Sequence, residues 1–575
     1  MSFFARTDKP GPSVFGFYAY ENIRTYVDAP SPGFFSLDVD RQWKKFTFDI
    51  REGLGFFADR SRFLLLTLKA TNDSKEEKTL WIDEVFVSEE DYSPGVRLID
   101  ERSLPHETLA HRLQPGPSLS FTVDGQKRLR DVNRMVSGIS FHRVAGHTGQ
   151  PYNGQGVYTL SPSLEQAVRD LRLPLTRFYG LGDEPFSLEE AIDKAAEVCL
   201  RVGIPQGQTV LEFEPQDARY KLAPEVWGKG VRHSVQKKYG FRYWEIANEP
   251  ENAALKPGRK VAYPSPDDFV DHFKKVSQAI RQVQPKAQIG LPISETPLWG
   301  TYLLSKAAGY YDFVTGHYYA VSQAHRRKFE AVALTENFKI LDKIIRINEL
   351  IKAYNPGKEV YQLDTEWGMH SGGPNNEAAD FVTRNANIFG LLHRAVRLIY
   401  YAREGILRGA GSWNLLSNLD APGFAVLSSQ APGEKTLLYW LYYYFNRHLG
   451  DWVLDMKGTA PYYIPVSGED PLTKSGEFPG PLTPVLTTMS KDGKALFFVI
   501  ANGSWHKEVP CLVTILNHHS SQAEAVLLTH HDSNGRPFLD RKEDAVSRLP
   551  VSIQKQELRC NIPPHSVVFI TVRGK

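Results

Sequence analysis

The chain has few cysteines, almost no net charge and no long apolar run. Its three cysteines, Cys199, Cys511 and Cys560, lack CxxC or Cys/His spacing, which excludes a disulfide framework and a zinc site of that kind. Lysine plus arginine number 68 and aspartate plus glutamate 66, so the formal charge of +2 supplies no bulk field to attract nucleic acid or an anionic membrane. Neither nucleic acid nor a membrane is therefore an expected partner.

No segment is long and apolar enough to cross a bilayer. The longest apolar run, residues 436–445, is much shorter than the roughly 20 residues that a spanning helix needs. The first residues, MSFFARTDKPGPSVFGFY, lack the apolar stretch of a signal peptide. We expect a soluble chain, and its compartment stays open because removal of a leader would leave the same sequence.

Alternation of apolar and polar residues predicts a β-sandwich over residues 1–132. Period-two runs occur at 43–50, 63–68 and 80–87, and no helical pattern of useful length interrupts them. The last run, LWIDEVFV, resembles the closing strand of carbohydrate-binding jelly rolls. This sandwich is therefore expected to be a jelly roll, and whether it binds carbohydrate stays open.

Strand-like and helical runs alternate over residues 133–452, as in βα units around a parallel sheet. In one helical run Ser187 and Glu190 have the spacing of a capping box. The predicted strands cover residues 137–141, 175–178, 209–213, 242–247, 288–292, 313–317, 359–365 and 410–414. Eight strands alternating with helices predict a (β/α)8 TIM barrel. A doubly wound sheet also fits the alternation, but no glycine-rich phosphate loop follows the first strand.

Residues 453–575 return to strand patterns and predict a second β-sandwich. The pair Asp492-Gly493 between two apolar runs predicts a hairpin. Cys511 and Cys560 both lie in this region, and whether they pair stays open. Cys199 lies on the apolar face of a predicted barrel helix and is expected in the core.

Two glutamates stand at the predicted ends of barrel strands. Glu249 follows the fourth strand in FRYWEIANEPENA, and Glu366 ends the seventh in EVYQLDTEWGMHSGG. The C-terminal ends of all barrel strands open on one side, so both carboxylates are expected at the same mouth. A carboxyl pair across a cleft suits glycoside hydrolysis, in which one acid protonates the leaving oxygen and the other stabilises or captures the sugar.

The segments around these glutamates resemble the motifs of a known group of enzymes. WEIANEP at 244–250 resembles the strand-4 motif of the retaining glycoside hydrolases of clan A, and TEWG at 365–368 resembles their strand-7 nucleophile motif. The closest resemblance is to glycoside hydrolase family 39 and its relatives, whose glutamate three residues before the asparagine is matched by Glu245. The resemblance implies that Glu249 is the acid/base and Glu366 the nucleophile.

The resemblance also implies roles for residues at other strand ends. Asn248 would donate to the sugar 2-hydroxyl, and Arg177 and Tyr319 would keep Glu366 ionised through charge and hydrogen bonding. His317 would contact the substrate, and Trp413 would form the floor of the subsite for the non-reducing-side sugar.

Several of these residues have a second interpretation. Arg177 could instead pair with Glu245 inside the barrel, and His317 could lie behind the site. The side chains that could either line sugar subsites or fill the core are His142, Trp244, Trp299 and Trp367. The rival carboxylates near strand ends are Glu212, Glu214 and Glu295.

We therefore expect a retaining glycoside hydrolase that acts on a plant, algal or microbial poly- or oligosaccharide through a covalent glycosyl-enzyme, with no metal and no organic cofactor. One alternative is a clan A enzyme of another family, of the arabinofuranosidase or uronidase type. The other is a carbohydrate-binding barrel without turnover. The sugar, the linkage and the oligomeric state stay open.

Overall fold

The computed structural model describes residues 2–20, 31–47, 63–69, 78–86, 104–105, 107–141, 162–183, 186–215, 220–250, 262–263, 266–293, 297–320, 327–369, 387–417, 426–428, 434–470, 473–531 and 542–574. Its first six strands are β1 (Ser2–Thr7), β2 (Gly11–Tyr20), β3 (Ser31–Val39), β4 (Lys44–Thr47), β5 (Phe63–Lys69) and β6 (Leu80–Phe86). They form two antiparallel sheets, in the orders β4-β1-β6 and β3-β2-β5. The alternation along β1 buries Phe3 and Ala5 against Val39 and Phe46.

The next two strands join the C-terminal sheet. β7 (Leu113–Pro115) and β8 (Leu119–Asp131) both pair with a strand at residues 452–460, and β8 pairs on its other edge with a strand at 509–516. The structure differs here from the predicted division at residue 132. Phe121 belongs to the core of the C-terminal sheet, and this burial determines which strands β8 joins.

The central barrel has eight parallel strands. They are β9 (Gly138–Ser140), β10 (Thr176–Phe178), β11 (Thr209–Glu212), β12 (Tyr243–Glu245), β13 (Gln288–Pro292), β14 (Phe313–Ala320), β15 (Tyr361–Met369) and β16 (Gly409–Trp413). Each strand pairs with the next, and β16 pairs with β9. Backbone hydrogen bonds from Ile139 N to Leu175 O (3.3 Å) and from Phe141 N to Arg177 O (2.9 Å) join the first strand to the second. The predicted TIM barrel is confirmed.

Helices cover the outer face of the barrel strands. In the described ranges they are α1 (Pro162–Leu171), α2 (Leu188–Val202), α3 (Pro224–Gln236), α4 (Pro266–Val283), α5 (Pro297–Lys306), α6 (Glu336–Tyr354), α7 (Ile388–Glu404) and α8 (Leu437–Phe445). The capping box predicted at Ser187 and Glu190 begins α2, and Cys199 lies in the core as expected. The apolar run at 436–445 supplies α8, which is almost wholly buried.

Two apolar layers hold the barrel. The small inner layer is built by Val210, Tyr243, Phe313 and Leu363, which lie on β11, β12, β14 and β15, and the larger outer layer lies between the strands and the helices. Side chains at the C-terminal ends of the strands lie above the inner layer. This arrangement leaves the strand ends available for polar residues.

The remaining strands complete the C-terminal sheet and two short pairs. They are β17 (Leu416–Ser417), β18 (Leu427–Ser428), β19 (Trp452–Ala460), β20 (Tyr462–Tyr463), β21 (Gly480–Pro481), β22 (Val485–Met489), β23 (Ala495–Asn502), β24 (Val509–Leu516), β25 (Ser520–Thr529), β26 (Val546–Arg548), β27 (Ser552–Gln554), β28 (Glu557–Ile562) and β29 (Ser566–Gly574). The predicted hairpin at Asp492-Gly493 joins β22 and β23. Cys511 stands opposite Cys560 on neighbouring strands, and both thiols are free. No helix in the described part of the chain could span a membrane.

Candidate active site

The backbone after β12 bends sharply where it presents Glu249. Ala247 and Glu249 have φ angles of 67° and 44°, in the left-handed region that residues with side chains rarely adopt. Such strained positions cluster at active sites. Between these two residues lies Asn248, whose side chain is buried.

Arg177 at the end of β10 connects the residues of the predicted site. Its guanidinium donates to Glu245 (2.5 Å), to Glu366 (2.6 Å) and to the Asn248 side-chain oxygen (2.7 Å). Burial by itself lowers the pKa of Arg177, but the charges of Glu245 and Glu366 outweigh it and raise the pKa above its ordinary value. Both interpretations of Arg177 therefore hold, because it pairs with Glu245 and also contacts Glu366.

Glu366 accepts a second hydrogen bond, from the hydroxyl of Tyr319 on β14 (3.0 Å). Burial, followed by the negative charge of Glu366, raises the pKa of Tyr319 well above its usual value, so this hydroxyl keeps its proton. Glu366 is thus held between a fixed cation and a hydroxyl donor. The contacts expected of Arg177 and Tyr319 are both present.

Glu249 lies beside His317 of β14. The two side chains are joined at 2.6 Å through Nδ1 of His317, and the same nitrogen lies 3.8 Å from Glu366. Burial lowers the pKa of His317, but the charges of Glu366 and Glu249 and the hydrogen bond to Glu249 raise it to about 9. At neutral pH the imidazole is therefore cationic and contacts both acids.

The two carboxyl groups are close together and differently exposed. One oxygen of Glu249, one of Glu366 and a ring nitrogen of His317 all lie within 4.8 Å of one another. The side chain of Glu249 is 31% exposed, whereas that of Glu366 is 9% exposed. The site can therefore offer one open carboxyl group and one that is enclosed by donors.

In the described ranges, this same trio is the group whose donor atoms lie close enough to share a metal ion. The guanidinium of Arg177 lies 2.6 Å from Glu366, however, and its positive charge disfavours a second cation at that carboxylate. The surroundings fit proton transfer and nucleophilic attack better than metal binding.

Two aromatic rings pack on each other, and one of them lies beside Arg177. Trp413 at the end of β16 packs on Tyr179 with ring centroids 5.5 Å apart, and the Arg177 guanidinium lies 4.8 Å from the centre of the Tyr179 ring. The peptide bond from Trp413 to Asn414 is cis. Tyr179 did not appear among the predicted site residues, although it follows β10 directly in the run TRFYG.

The rival carboxylates Glu212 and Glu214 lie behind the site and are buried. Glu212 accepts from the backbone nitrogens of Gly180 (2.8 Å) and Glu214 (2.5 Å), and burial, followed by the charge of Glu214, raises its pKa well above the usual value. Glu214 contacts His272 at 2.7 Å and accepts a hydrogen bond from Tyr263. This enclosed cluster supports the wall of the barrel.

The remaining candidates divide between core positions and residues outside the described ranges. Trp367 is fully buried against Arg397 and Tyr401, which supports its core alternative and corrects its assignment as a sugar contact. Trp244 is also buried, and its indole donates to Gln284 (2.7 Å). Those that lie outside the described residues are His142, Glu295 and the side chain of Trp299.

Comparison of the chain with protein-family models and with curated proteins finds no match. Its fold is similar to that of an α-L-arabinofuranosidase from Thermotoga maritima solved with arabinose, at 15% identity over 79% of this chain and 100% of that one, with a TM-score of 0.61. A family 51 α-L-arabinofuranosidase from Bifidobacterium longum matches at 14% identity over 79% and 99%, with a TM-score of 0.62.

A bifunctional glucanase-xylanase, CelM2, from a metagenome library also matches, at 14% identity over 80% of this chain and 100% of that one, with a TM-score of 0.53. Likeness at this identity shows the fold, which is a TIM barrel joined to a β-sandwich. The resemblance to family 39 in particular is not confirmed by these structures and stays a prediction.

Proposed function

We propose that this protein is a retaining glycoside hydrolase. The observation that carries the proposal is the close approach of Glu249 and Glu366, with oxygens of the two groups within 4.8 Å. Retaining enzymes hold their two carboxyl groups about 5–5.5 Å apart, whereas inverting enzymes separate them by roughly 6.5–9.5 Å to admit a water molecule. A spacing this short supports attack by the protein itself.

In the proposed reaction Glu366 attacks the anomeric carbon, and the glycosidic carbon–oxygen bond breaks as Glu249 protonates the leaving oxygen. Glu249 then takes a proton from water, whose oxygen displaces Glu366 and releases the sugar. Arg177 and Tyr319, at 2.6 and 3.0 Å, stabilise the carboxylate of Glu366 before attack and after release. The substrate, the two glutamates and water supply every atom and proton in this reaction.

Two neighbours prepare these steps. Arg177 donates to the side-chain oxygen of Asn248, which orients the amide so that its nitrogen is a donor for the sugar 2-hydroxyl. His317 Nδ1 lies 2.6 Å from an oxygen of Glu249, and the imidazolium donates a hydrogen bond that orients this carboxyl group.

For the substrate, we infer that L-arabinofuranosides are the first class to test. The arabinofuranosidases match this chain with TM-scores of 0.61 and 0.62, compared with 0.53 for the glucanase-xylanase. Xylosides and glucosides follow as the second class because that neighbour is a bifunctional glucanase-xylanase.

A panel of 4-nitrophenyl glycosides tests the function directly. We expect release of nitrophenol from at least one of α-L-arabinofuranoside, β-D-xyloside and β-D-glucoside, and loss of that release in Glu366→Gln. The matched control Glu197→Gln changes a carboxylate on the exposed side of α2 and should keep the wild-type rate. No turnover by the wild type on any glycoside would favour the alternative of a carbohydrate-binding barrel.

We also propose that the N-terminal sandwich binds carbohydrate. On its outer face Trp43 and Trp81 are 44% and 41% exposed, and the guanidinium of Arg6 lies between them, 5.0 and 4.9 Å from their ring centres. Exposed flat rings beside a cation provide surfaces for stacking sugar rings and for hydrogen bonding to hydroxyl or acidic groups.

A further inference from the structure

The side chains of β15 do not alternate regularly along the strand. Tyr361 and Leu363 contact the inner layer of the barrel, whereas the side-chain amide of Gln362 faces α6 and donates to the carbonyl of Ile344 (2.9 Å). With a period of two, Glu366 would face the helices as Gln362 does. It instead faces Arg177 on the inside.

A β-bulge accounts for this reversal. On the neighbouring strand β14, Gly316 is paired with Asp364, but the next residue, His317, is paired with Glu366. Thr365 is therefore one extra residue, and the register between β15 and β16 shifts over the same stretch. A bulge of this kind changes the direction in which the following side chains point.

The residues on either side of the bulge are held from outside the barrel by α7. Asp364 accepts a hydrogen bond from the backbone nitrogen of Tyr318 (3.2 Å) and another from the hydroxyl of Tyr401 (2.5 Å). Arg397 donates to the carbonyl of Tyr318 (3.1 Å), and its guanidinium lies 5.4 Å from the ring centre of Trp367.

This group is enclosed and mutually dependent. Arg397 also donates to the hydroxyl of Tyr401 (3.1 Å) and lies 3.8 Å from Asp364. Asp364, Trp367, Arg397 and Tyr401 have no exposed surface. Burial raises the pKa of Asp364 to about 8, and its carboxyl group connects the backbone of β14 to the helix that covers it, at the position where β15 bulges.

We propose that Asp364 is a positioning residue, which fixes the bulge at Thr365 and thereby turns Glu366 towards the inside of the barrel. The role of Glu366 in catalysis rests on the proposed function, but the placement of its side chain does not. Asp364 acts through the backbone and has no contact with the reacting atoms.

The kinetic test compares three variants. Asp364→Ala removes the acceptor and should lower kcat about 100-fold, the loss that a displacement of about 1 Å can cause, with KM within about threefold. Asp364→Asn keeps an acceptor for the Tyr318 nitrogen and should restore kcat to within about tenfold of the wild type. Tyr401→Phe removes one donor to Asp364 at nearly constant volume. It should lower kcat less than Asp364→Ala does, again without a change in KM.

The matched control is Tyr400→Phe. Tyr400 is the adjacent residue on α7 and is equally buried, but its hydroxyl contacts His111 (2.7 Å), away from the bulge. The Tyr400→Phe variant should keep the wild-type kcat and KM. If Asp364→Ala does not fold, Tyr401→Phe measured against Tyr400→Phe decides the question, since equal kcat values for these two variants would contradict the proposal.

A second readout does not depend on turnover. Titration of His317 by ¹⁵N NMR, assigned with His317→Gln, reports the negative charge of Glu366 beside the ring. We expect the midpoint to fall from about 9 in the wild type towards the ordinary value in Asp364→Ala, and to stay near 9 in Asp364→Asn and Tyr400→Phe. An unchanged midpoint in folded Asp364→Ala would overturn the proposal. A wild type that titrates as expected but hydrolyses no glycoside would contradict only the proposed function.

Discussion

At the scale of single residues, the proposed division of roles between the two acids rests on their neighbours. Glu366 is enclosed by the Arg177 guanidinium and the Tyr319 hydroxyl, both of which stabilise a carboxylate. Glu249 is more exposed and shares a hydrogen bond with His317. The enclosed group suits nucleophilic attack, and the open group suits proton exchange with a leaving group and with water.

The role of Glu249 can be tested by its dependence on the leaving group. Glu249→Ala should slow hydrolysis of natural glycosides by about 10²–10⁴-fold, because proton transfer to the leaving oxygen is lost. Glycosides whose leaving groups need no proton should be affected much less, and azide should restore turnover as a glycosyl azide of retained configuration. Equal losses on both kinds of substrate, measured as kcat/KM, would remove Glu249 from this role.

The charge on His317 predicts a pH dependence of stability. Because the pKa of His317 is raised to about 9, its protonated ring stabilises the folded protein fully below the ordinary pKa near 6.5. This stabilisation is lost as the pH rises through 9. The wild type should lose on the order of 3 kcal/mol of unfolding free energy over this range through this residue.

Denaturant unfolding at pH 6 and pH 9.5 measures this loss. His317→Gln should show a smaller decrease than the wild type, and His506→Gln, on the exposed surface, should follow the wild type. Parallel decreases in all three proteins would contradict the electrostatic account of His317.

The sequence predicted the contacts of Glu366 better than those of the surrounding residues. Arg177 and Tyr319 could be assigned because barrel geometry brings strand ends together in a known order. The pairing of Glu214 with His272 and Tyr263 could not be predicted in this way. His272 lies on α4 and Tyr263 lies just before it, and both are far from Glu214 in sequence. Local patterns carry no information about such contacts.

At the scale of elements, the barrel strands were predicted within a few residues because hydrophobic runs alternate clearly with helical ones. The bulge at Thr365 was not predicted, since nothing in LDTEWG distinguishes it from a regular strand. It is nevertheless the feature that decides which way Glu366 points. Element identity is a local property, whereas register is determined by the neighbouring strands and by α7.

The start of α2 gives a test of a local signal. The Ser187 side chain accepts from the Glu190 nitrogen and the Glu190 side chain accepts from the Ser187 nitrogen. Ser187→Ala should lower the unfolding free energy by about 1 kcal/mol, and Ser187→Asp should recover most of it. Thermal or denaturant unfolding measures both, and a neutral Ser187→Ala would show that this cap contributes nothing.

At the scale of the whole molecule, β8 shows why sequence order did not define the domains. It lies before the barrel in sequence but pairs with β19 and β24 after it. No strand was predicted here from the sequence, and β8 packs Phe121 and Val123 into the apolar core of the C-terminal sheet. Pairing across the length of a barrel is not encoded locally.

Binding by the N-terminal sandwich can be measured apart from catalysis. In a Glu366→Gln background, electrophoresis through gels that contain arabinan, xylan or β-glucan should show retardation by at least one polysaccharide. Trp43→Ala combined with Trp81→Ala should abolish it. Leu200→Ala, which changes a residue 79% exposed on α2, should not. Equal retardation of all three proteins would place the binding elsewhere.

The central claim is that Glu366 forms a covalent bond to the sugar, and one measurement tests it most directly. A 2-fluoro glycoside of the sugar that the aryl glycoside panel identifies should inactivate the wild type slowly and add one sugar mass to the peptide that contains Glu366. Glu366→Gln should take up no label. A label on Glu212, Glu214 or Glu295, or turnover of the fluoro glycoside to an inverted product without any label, would contradict the account.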